Sequence, residues 1–333
     1  MRDLIEAQDL NGLLRAVDAA CDARRWDELV ELADRCDAAI ERGKQLWPIA
    51  AHIDYRLALE APGEHAAAVL DPEVGRFSLG PLTEVAASTH RWDELAPHLD
   101  VPQTAAYVAQ ERVLRGESLA GDTRAHPEVL ELPLALESWE PTYALATFRS
   151  TFVEVAEPWE PSMPLEHHSS CEAPSLEDPE LVEALLDLVA PWTSESNGAA
   201  RAVVVEGDAR AAVSALTLDG FRLGRLTVAE GIQRLAWAAG SGGAHGRRRG
   251  AALGRFLAWY VASLLVEAPW PPNPDGLGRA LGRLRWYRWD EGSAEKGWVL
   301  RVAVADPHHG WAASIGATDL LEDDDEAAAT SRL

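Results

Sequence analysis

Eight prolines lie between residues 127 and 179, and they divide the chain into a part before and a part after them. Proline has no backbone N–H and clashes with the preceding helical turn, so no long helix can cross this stretch. Glutamates are interspersed among the prolines. We therefore predict a Pro/Glu-rich junction at residues 121–180. A strand is possible within it at Thr147 to Val155, where Phe148, Phe152 and Val153 supply β-compatible bulk.

The residues before the junction are expected to be helical, because apolar side chains recur there at helical spacing. Three successive segments each carry one apolar stripe, and the first stripe consists of Leu10, Leu13, Leu14, Val17 and Cys21. The sequence Arg-Trp-Asp-Glu-Leu occurs at 25–29 and again at 91–95. Recurrence of a short motif at a regular spacing is typical of helical-repeat proteins. We predict a helical-repeat-like domain at residues 1–120, with the alternative that the motif merely starts two similar helices.

The residues after the junction alternate between helical and strand-like patterns. Helices are expected from Asp178, at 228–239 and at 250–267, and a short strand at 202–205. Three strand-like runs follow at 284–289, 298–305 and 311–315, separated by turn residues. This order predicts an α+β domain at 181–320 with a small antiparallel sheet, followed by a disordered acidic tail at 321–333. The whole chain is therefore expected to be α+β and predominantly α-helical.

Charge is distributed unevenly along the sequence. The chain has a net charge of −24, and residues 1–200 alone carry 38 acidic and 14 basic side chains, whereas residues 201–301 carry 9 acidic and 15 basic ones. The overall excess of acid argues against general binding to nucleic acid or to an anionic membrane. The longest uncharged apolar run, Phe256 to Val266, is shorter than a membrane span. The basic region can still hold one small anion.

Cysteine use and the N-terminal residues predict a cytoplasmic location. Three cysteines in 333 residues cannot form a disulfide framework, and no secretory signal pattern precedes the first helix. No cofactor motif is recognised, and no nucleophile elbow or complete catalytic set is visible. We therefore favour a protein that is not an enzyme, while an enzymatic role stays open.

A glycine- and arginine-rich stretch before the long apolar helix is the first candidate site. It contains Gly242, Gly243, His245, Arg247, Arg248 and Arg249. Glycines let backbone N–H groups approach a ligand, and arginine offers a bidentate fork to phosphate or carboxylate. The stretch lacks the Gly-Lys-Ser/Thr of a nucleotide P-loop and does not clearly follow a strand. The alternative is a connector whose arginines pair with the chain's own carboxylates.

A second candidate is the run from Arg283 to Trp289, in which cations and aromatic rings interleave. If the run is a strand, Arg283, Arg285 and Tyr287 share one face. Such mixtures bind single-stranded nucleic acid. Packing of arginine stems over tryptophan rings is the more ordinary explanation and is the one we favour.

Two groups of potential metal ligands occur, although neither has the spacing of a known site. They are His167, His168 and Cys171 with neighbouring glutamates, and Asp306, His308 and His309. Adjacent histidines on an extended chain point to opposite sides, so a shared ion would need an intervening turn. We do not predict a metal site.

Three segments resemble an actinobacterial family of unknown function. They are Gly242 to Trp259, Arg285-Trp286-Tyr287 and Ala317-Thr318-Asp319. The resemblance covers about residues 200–320 and implies an uncharacterised bacterial, cytoplasmic protein. It brings no activity and no catalytic residues with it.

Three functional hypotheses follow. The first is a cytoplasmic scaffold or adaptor that binds another protein with a basic surface, since helical stacks form extended surfaces. The second is a small-anion or nucleotide-binding protein that uses the 240–250 loop. The third is an immunity-type protein that neutralises a basic toxin.

Overall fold

The computed structural model describes residues 2–70, 79–155, 164–218, 220–292 and 297–320. The chain divides into two compact units, of which the first comprises Met1–Leu136 and Leu145–Ala156 and the second comprises Glu137–Ala144 and Glu157–Leu333. Within the described ranges, no helix is both long enough and apolar enough to cross a membrane. The tail predicted at 321–333 lies outside the described residues.

Helices dominate the described part of the first unit. Its helices are α1 (Arg2–Ala7), α2 (Leu10–Asp22), α3 (Trp26–Glu41), α4 (Trp47–Glu60), α5 (Gly63–Ala68), α6 (Leu82–Thr89), α7 (Trp92–Leu95), α8 (Pro102–Leu114) and α9 (Pro127–Leu130). The predicted strand at 147–155 is instead a hairpin of β1 (Ala146–Phe148) and β2 (Val153–Val155). A tight turn connects the two strands, and a hydrogen bond from the Arg149 N–H to the Phe152 carbonyl closes it at 2.9 Å.

The expected apolar stripes form the core of this unit. In α2, Asp9 caps the helix by accepting a hydrogen bond from the Gly12 N–H, and Leu13 and Val17 are fully buried. Leu10 and Leu14, which the spacing also placed in the stripe, are instead exposed. Leu13, Val17 and Cys21 are buried against α3 and α4, and this burial of apolar surface stabilises the unit.

The repeated Arg-Trp-Asp-Glu-Leu motif begins two helices of different length. Helix α3 has 16 residues and α7 has four. Trp26 is half-buried, whereas Trp92 is buried and donates its indole N–H to Asp122 at 2.8 Å. The helical-repeat character of this unit stays a prediction.

The second unit combines helices with a six-stranded antiparallel sheet. Its helices are α10 (Pro179–Asp187), α11 (Ala190–Ser194), α12 (Ala209–Ser214), α13 (Val228–Gly240), α14 (Ala251–Leu265) and α15 (Pro274–Leu281). Its strands are β3 (Glu166–His168), β4 (Ala199–Glu206), β5 (Phe221–Leu226), β6 (Arg285–Asp290), β7 (Trp298–Asp306) and β8 (Trp311–Asp319), in the spatial order β3-β5-β6-β7-β8-β4. The predicted meander is confirmed as β6 to β8. The α+β, mainly helical fold class is likewise confirmed.

The two faces of this sheet are covered differently. On one face, Gly231 of α13 leaves room for the ring of Trp286, which is buried. On the other face, α12 packs Ala212 and Val213 into a cluster that includes Trp289. Helix α12 has only six residues. It therefore covers one end of its face and leaves space beside it.

A buried ion pair fixes the segment Glu137–Ala144 within the second unit. The Glu140 carboxylate accepts hydrogen bonds from the Arg255 guanidinium at 2.7 and 2.8 Å, and both side chains are completely buried. The Trp259 indole N–H also donates to Glu140, at 3.0 Å. Burial opposes ionisation of Glu140, but these bonds outweigh it and hold the pKa of the carboxyl below its usual value.

Candidate anion-binding site

A cavity of about 340 Å³ opens on the face of the sheet that α12 covers only in part. Its volume falls in the range of small-molecule sites. Its lining comes from β3, β5, β6, β7, the start of α12 and the β7–β8 turn. The lining residues are Pro164, Glu166, His168, Gly207, Asp208, Ala209, Arg210, Leu223, Arg225, Arg285, Tyr287, Ala305 and Pro307.

The floor of the cavity carries two arginines that flank one tyrosine. Arg225 on β5 lies directly opposite Tyr287 on β6, and its guanidinium carbon is 5.7 Å from the centroid of the tyrosine ring. Arg285 lies two residues before Tyr287 on β6 and therefore shares its face. Both arginines are exposed. Within the described part of the chain, neither makes a hydrogen bond or an ion pair through its guanidinium.

The third arginine of the cavity is already paired. The Arg210 guanidinium donates to Asp208 at 2.9 Å, and the same carboxylate accepts the backbone N–H groups of Arg210 and Ala211 at the start of α12. Burial opposes ionisation of Asp208, yet the bonds from Arg210 hold the pKa of this carboxyl below its usual value. Asp208 is therefore charged at neutral pH and fixes Arg210 at the rim.

Strand β3 supplies the opposite rim, and it contains the first group of potential metal ligands. Glu166 and His168 line the cavity, whereas His167 is on the other side of the strand, as alternation along a strand requires. Cys171 is exposed, and its backbone N–H donates to the Ser214 hydroxyl at 3.0 Å. Across the described residues, no group of three or more His, Cys, Asp or Glu side chains is close enough to hold a metal ion.

The second group of potential metal ligands forms the turn between β7 and β8. Asp306 accepts the backbone N–H groups of His308 and His309 at 2.7 and 3.1 Å, and its other oxygen is 2.8 Å from Nδ1 of His309. Burial opposes ionisation of Asp306, but the contacts with His309 lower the pKa of its carboxyl overall. These residues order the turn beside the cavity.

The predicted 240–250 loop is folded against carboxylates of the same unit. The Ala244 N–H donates to Asp319 at 2.6 Å, the Arg247 N–H to Glu195 at 2.8 Å, and the Arg249 guanidinium to the Asp187 carbonyl at 2.7 Å. The loop follows helix α13 and does not follow a strand. It does not line the cavity on the sheet.

The individual residues predicted for this loop are placed as follows. Gly242 and Gly243 lie where a side chain would collide, in the case of Gly243 with Asp319 and the ring of Trp192, and Gly243 also has a φ of +71°. His245 and Arg247 are exposed, while Arg248 and Arg249 are half-buried. Gly242 therefore allows close packing against the backbone of Gly246 and Arg247, and Gly243 allows close packing around Asp319.

Sequence reasoning identified part of the cavity and missed the rest. It placed Arg285 and Tyr287 on one face of a strand, as observed. It missed Arg225 and Leu223, because β5 was not recognised in Phe-Arg-Leu-Gly-Arg-Leu. The alternation of Phe221 and Leu223 with Arg222 and Gly224 was the available signal, but Arg225 and Leu226 interrupt it. It considered His168 only as a metal ligand.

Comparison with known proteins identifies a family. A model of a family of unknown function, DUF6183, matches residues 11–320. This match extends well beyond residues 200–320, over which the sequence resembles an actinobacterial family, and the actinobacterial origin stays a prediction. No curated protein and no solved structure shows significant similarity to the chain. The chain belongs to the family of unknown function DUF6183.

Proposed function

We propose that this protein binds a small anionic ligand in the cavity on the open face of its sheet. The observation that supports this most is the pair Arg225 and Arg285 on the cavity floor, neither of which is paired with a carboxylate in the described residues. Arginines in a chain with 54 acidic side chains and a net charge of −24 have abundant internal partners available. Two that remain unpaired in a concave site favour an external anion.

The size and surroundings of the cavity support a small ligand and argue against a polymer. An extended polyanion would meet the long-range repulsion of the acidic chain, and this repulsion weakens non-specific binding to nucleic acid. A small anion needs only the local positive field. We therefore propose a ligand-binding role and do not propose a nucleic-acid-binding role.

Thermal denaturation with a panel of phosphates, nucleotides and carboxylates tests this proposal. A ligand at 100 times its Kd is expected to raise the unfolding free energy by about 2.7 kcal/mol. The variant Arg285→Gln is expected to abolish the shift, while Arg283→Gln, which removes the same charge at an exposed position outside the cavity, is expected to retain it.

The same experiment distinguishes the cavity from the 240–250 loop. If Arg248→Gln removes the shift and Arg285→Gln leaves it intact, the anion binds at the loop and our proposal is wrong. If no anion in the panel stabilises the protein, the proposal also fails.

The scaffold hypothesis is a second candidate, and its support is the charge of the chain and not the cavity. Its support is the charge of residues 1–200, which carry 38 acidic and only 14 basic side chains and so favour a basic protein partner. The separate immunity-type hypothesis, in which the protein neutralises a basic toxin, draws on the same acidity. A pull-down at moderate salt that recovers no protein, together with a monomeric sizing profile, would count against the scaffold hypothesis.

We propose a cytoplasmic location for either role, with support from the free state of Cys21, Cys36 and Cys171.

A further inference from the structure

The placement of the two floor arginines limits the kind of anion that fits the cavity. Arg225 on β5 is opposite Tyr287 on β6, and Arg285 is two residues before Tyr287 on β6. The two arginines are therefore diagonal neighbours on one face of adjacent strands. Diagonal neighbours in a sheet are close enough for long side chains to meet. Two guanidinium forks can therefore reach a single anionic group.

A phosphate monoester satisfies two forks better than a carboxylate does. A carboxylate has two oxygens and one negative charge, and one bidentate arginine neutralises that charge although further lone pairs remain. A phosphate monoester has three terminal oxygens and carries a charge of about −1.5 to −2 at pH 7. With a phosphate, the second arginine thus meets a third oxygen and negative charge that the first arginine does not neutralise.

The cavity is much larger than the anionic group alone, and its rim includes a hydrogen-bond acceptor. Glu166 on β3 is exposed and makes no side-chain hydrogen bond or ion pair within the described ranges. A carboxylate at this position repels a bare anion but accepts hydrogen bonds from hydroxyl groups. The ligand is therefore expected to carry hydroxyl groups on an organic body.

Both aromatic rings that line the cavity already contact other groups, which disfavours a nucleobase stacked on them. One face of Tyr287 is covered by the Arg225 guanidinium at 5.7 Å, and the ring of His168 packs 5.9 Å from that of Phe221. From these observations we infer that the cavity recognises a phosphate ester of a polyhydroxy compound, with Arg225 and Arg285 on the phosphate and Glu166 on the hydroxyl groups. This inference rests on the proposed function.

Isothermal titration of the full chain with glucose 6-phosphate, inorganic phosphate, glucose, citrate and AMP tests the ligand class. Glucose 6-phosphate is expected to bind at least about tenfold more tightly than any other member of this set, a factor that corresponds to about 1.4 kcal/mol. Arg285→Gln is expected to weaken the binding of glucose 6-phosphate by about tenfold or more, and Arg283→Gln is expected to weaken it by less than about twofold.

The variant Glu166→Ala supplies a readout that a general anion site would not give. It is expected to weaken the binding of glucose 6-phosphate by about fivefold or more, while inorganic phosphate binds with unchanged or higher affinity. A thermal melt of the variant checks that it folds, and Glu166 is exposed on a three-residue edge strand.

The outcomes separate the inference from the proposed function. If citrate or inorganic phosphate binds as tightly as the ester and still depends on Arg285, the anion site stands and the assignment of the ligand is wrong. The assignment is equally wrong if AMP binds more tightly than glucose 6-phosphate. If none of the five compounds binds, both the inference and the proposed function fail.

Discussion

Asp319 holds the backbone of Ala244 at 2.6 Å, so the last residue of β8 fixes the glycine-rich loop between α13 and α14. Its second carboxylate oxygen accepts the Ser196 hydroxyl at 2.9 Å, and the side chain is buried. A charged acceptor with two donors is one of the stronger polar arrangements in a protein. The loop thus binds a carboxylate of the same chain, Asp319.

Replacement of Asp319 by alanine is expected to destabilise the second unit. Two hydrogen bonds to a buried charged group are lost and two donors are left without an acceptor, which costs about 2–4 kcal/mol. Urea denaturation followed by tryptophan fluorescence measures the change. Glu183→Ala, an exposed carboxylate on α10, is the control and is expected to change stability by less than about 0.5 kcal/mol. A loss below about 1 kcal/mol for Asp319→Ala would contradict the role assigned to it.

The buried pair of Glu140 and Arg255 gives a larger expected effect. Glu140→Gln leaves the Arg255 charge buried without its counter-ion, and loss of one partner from such a pair costs about 3–5 kcal/mol. The double variant Glu140→Leu with Arg255→Met is expected to recover much of this loss, because neither charge remains. Chemical denaturation of the two variants makes the comparison. Equal stability of Glu140→Gln and the native chain would show that the pair is not buried as described.

Stability of the first unit is expected to depend on Asp54. Burial, together with repulsion from Asp37, raises the pKa of Asp54 to about 7. Between about pH 4 and pH 7 the folded chain keeps a proton that the unfolded chain has released, so this group makes the unfolding free energy fall as pH rises through that window. The contribution then levels off above pH 7.

The variant Asp54→Asn removes this dependence. It is expected to match the native chain near pH 4 and to exceed its stability by about 3–4 kcal/mol at pH 8. The reason is that the pKa of Asp54 is about 7 in the folded chain and about 3.9 in the unfolded chain, and each pKa unit corresponds to about 1.4 kcal/mol. Urea denaturation at several pH values gives the difference, with Asp3→Asn, an exposed residue of α1, as the control. A difference that does not grow with pH would refute the assignment.

Thiol reactivity is expected to separate the three cysteines. Burial raises the pKa of Cys21 and of Cys36 to about 11, so the thiolate form is scarce at neutral pH, whereas Cys171 is exposed. Reaction of the native protein with a thiol reagent is expected to modify one cysteine rapidly and all three after denaturation. Cys171→Ser should remove the rapid phase, and its persistence in that variant would mean that one of the helical cysteines is accessible.

Periodicity predicted the long elements well, because each of them buries one continuous stripe. Helices α2, α13 and α14 and strands β6 to β8 lie close to the predicted positions. The short elements were missed or merged. Strand β3 has three residues, two of them histidines, and its pairing with β5 depends on partners that are distant in sequence.

The candidate site was harder to predict than the fold, for the same reason. Arg285 and Tyr287 are neighbours in sequence, so their common face could be inferred from alternation alone. Arg225 joins them only through the register of β5 with β6, and Glu166 only through β3. The loop at 240–250 stands out by its composition, yet its partners are distant in sequence. They are the carboxylates of Glu195 and Asp319 and the backbone carbonyl of Asp187.

The central claim is that an external anion binds between Arg225 and Arg285, and a crystal structure of the protein with glucose 6-phosphate tests it most directly. We expect electron density for the phosphate against both guanidinium groups and for the sugar toward Glu166. Density at the 240–250 loop, or an empty cavity at a ligand concentration well above the measured Kd, would contradict it.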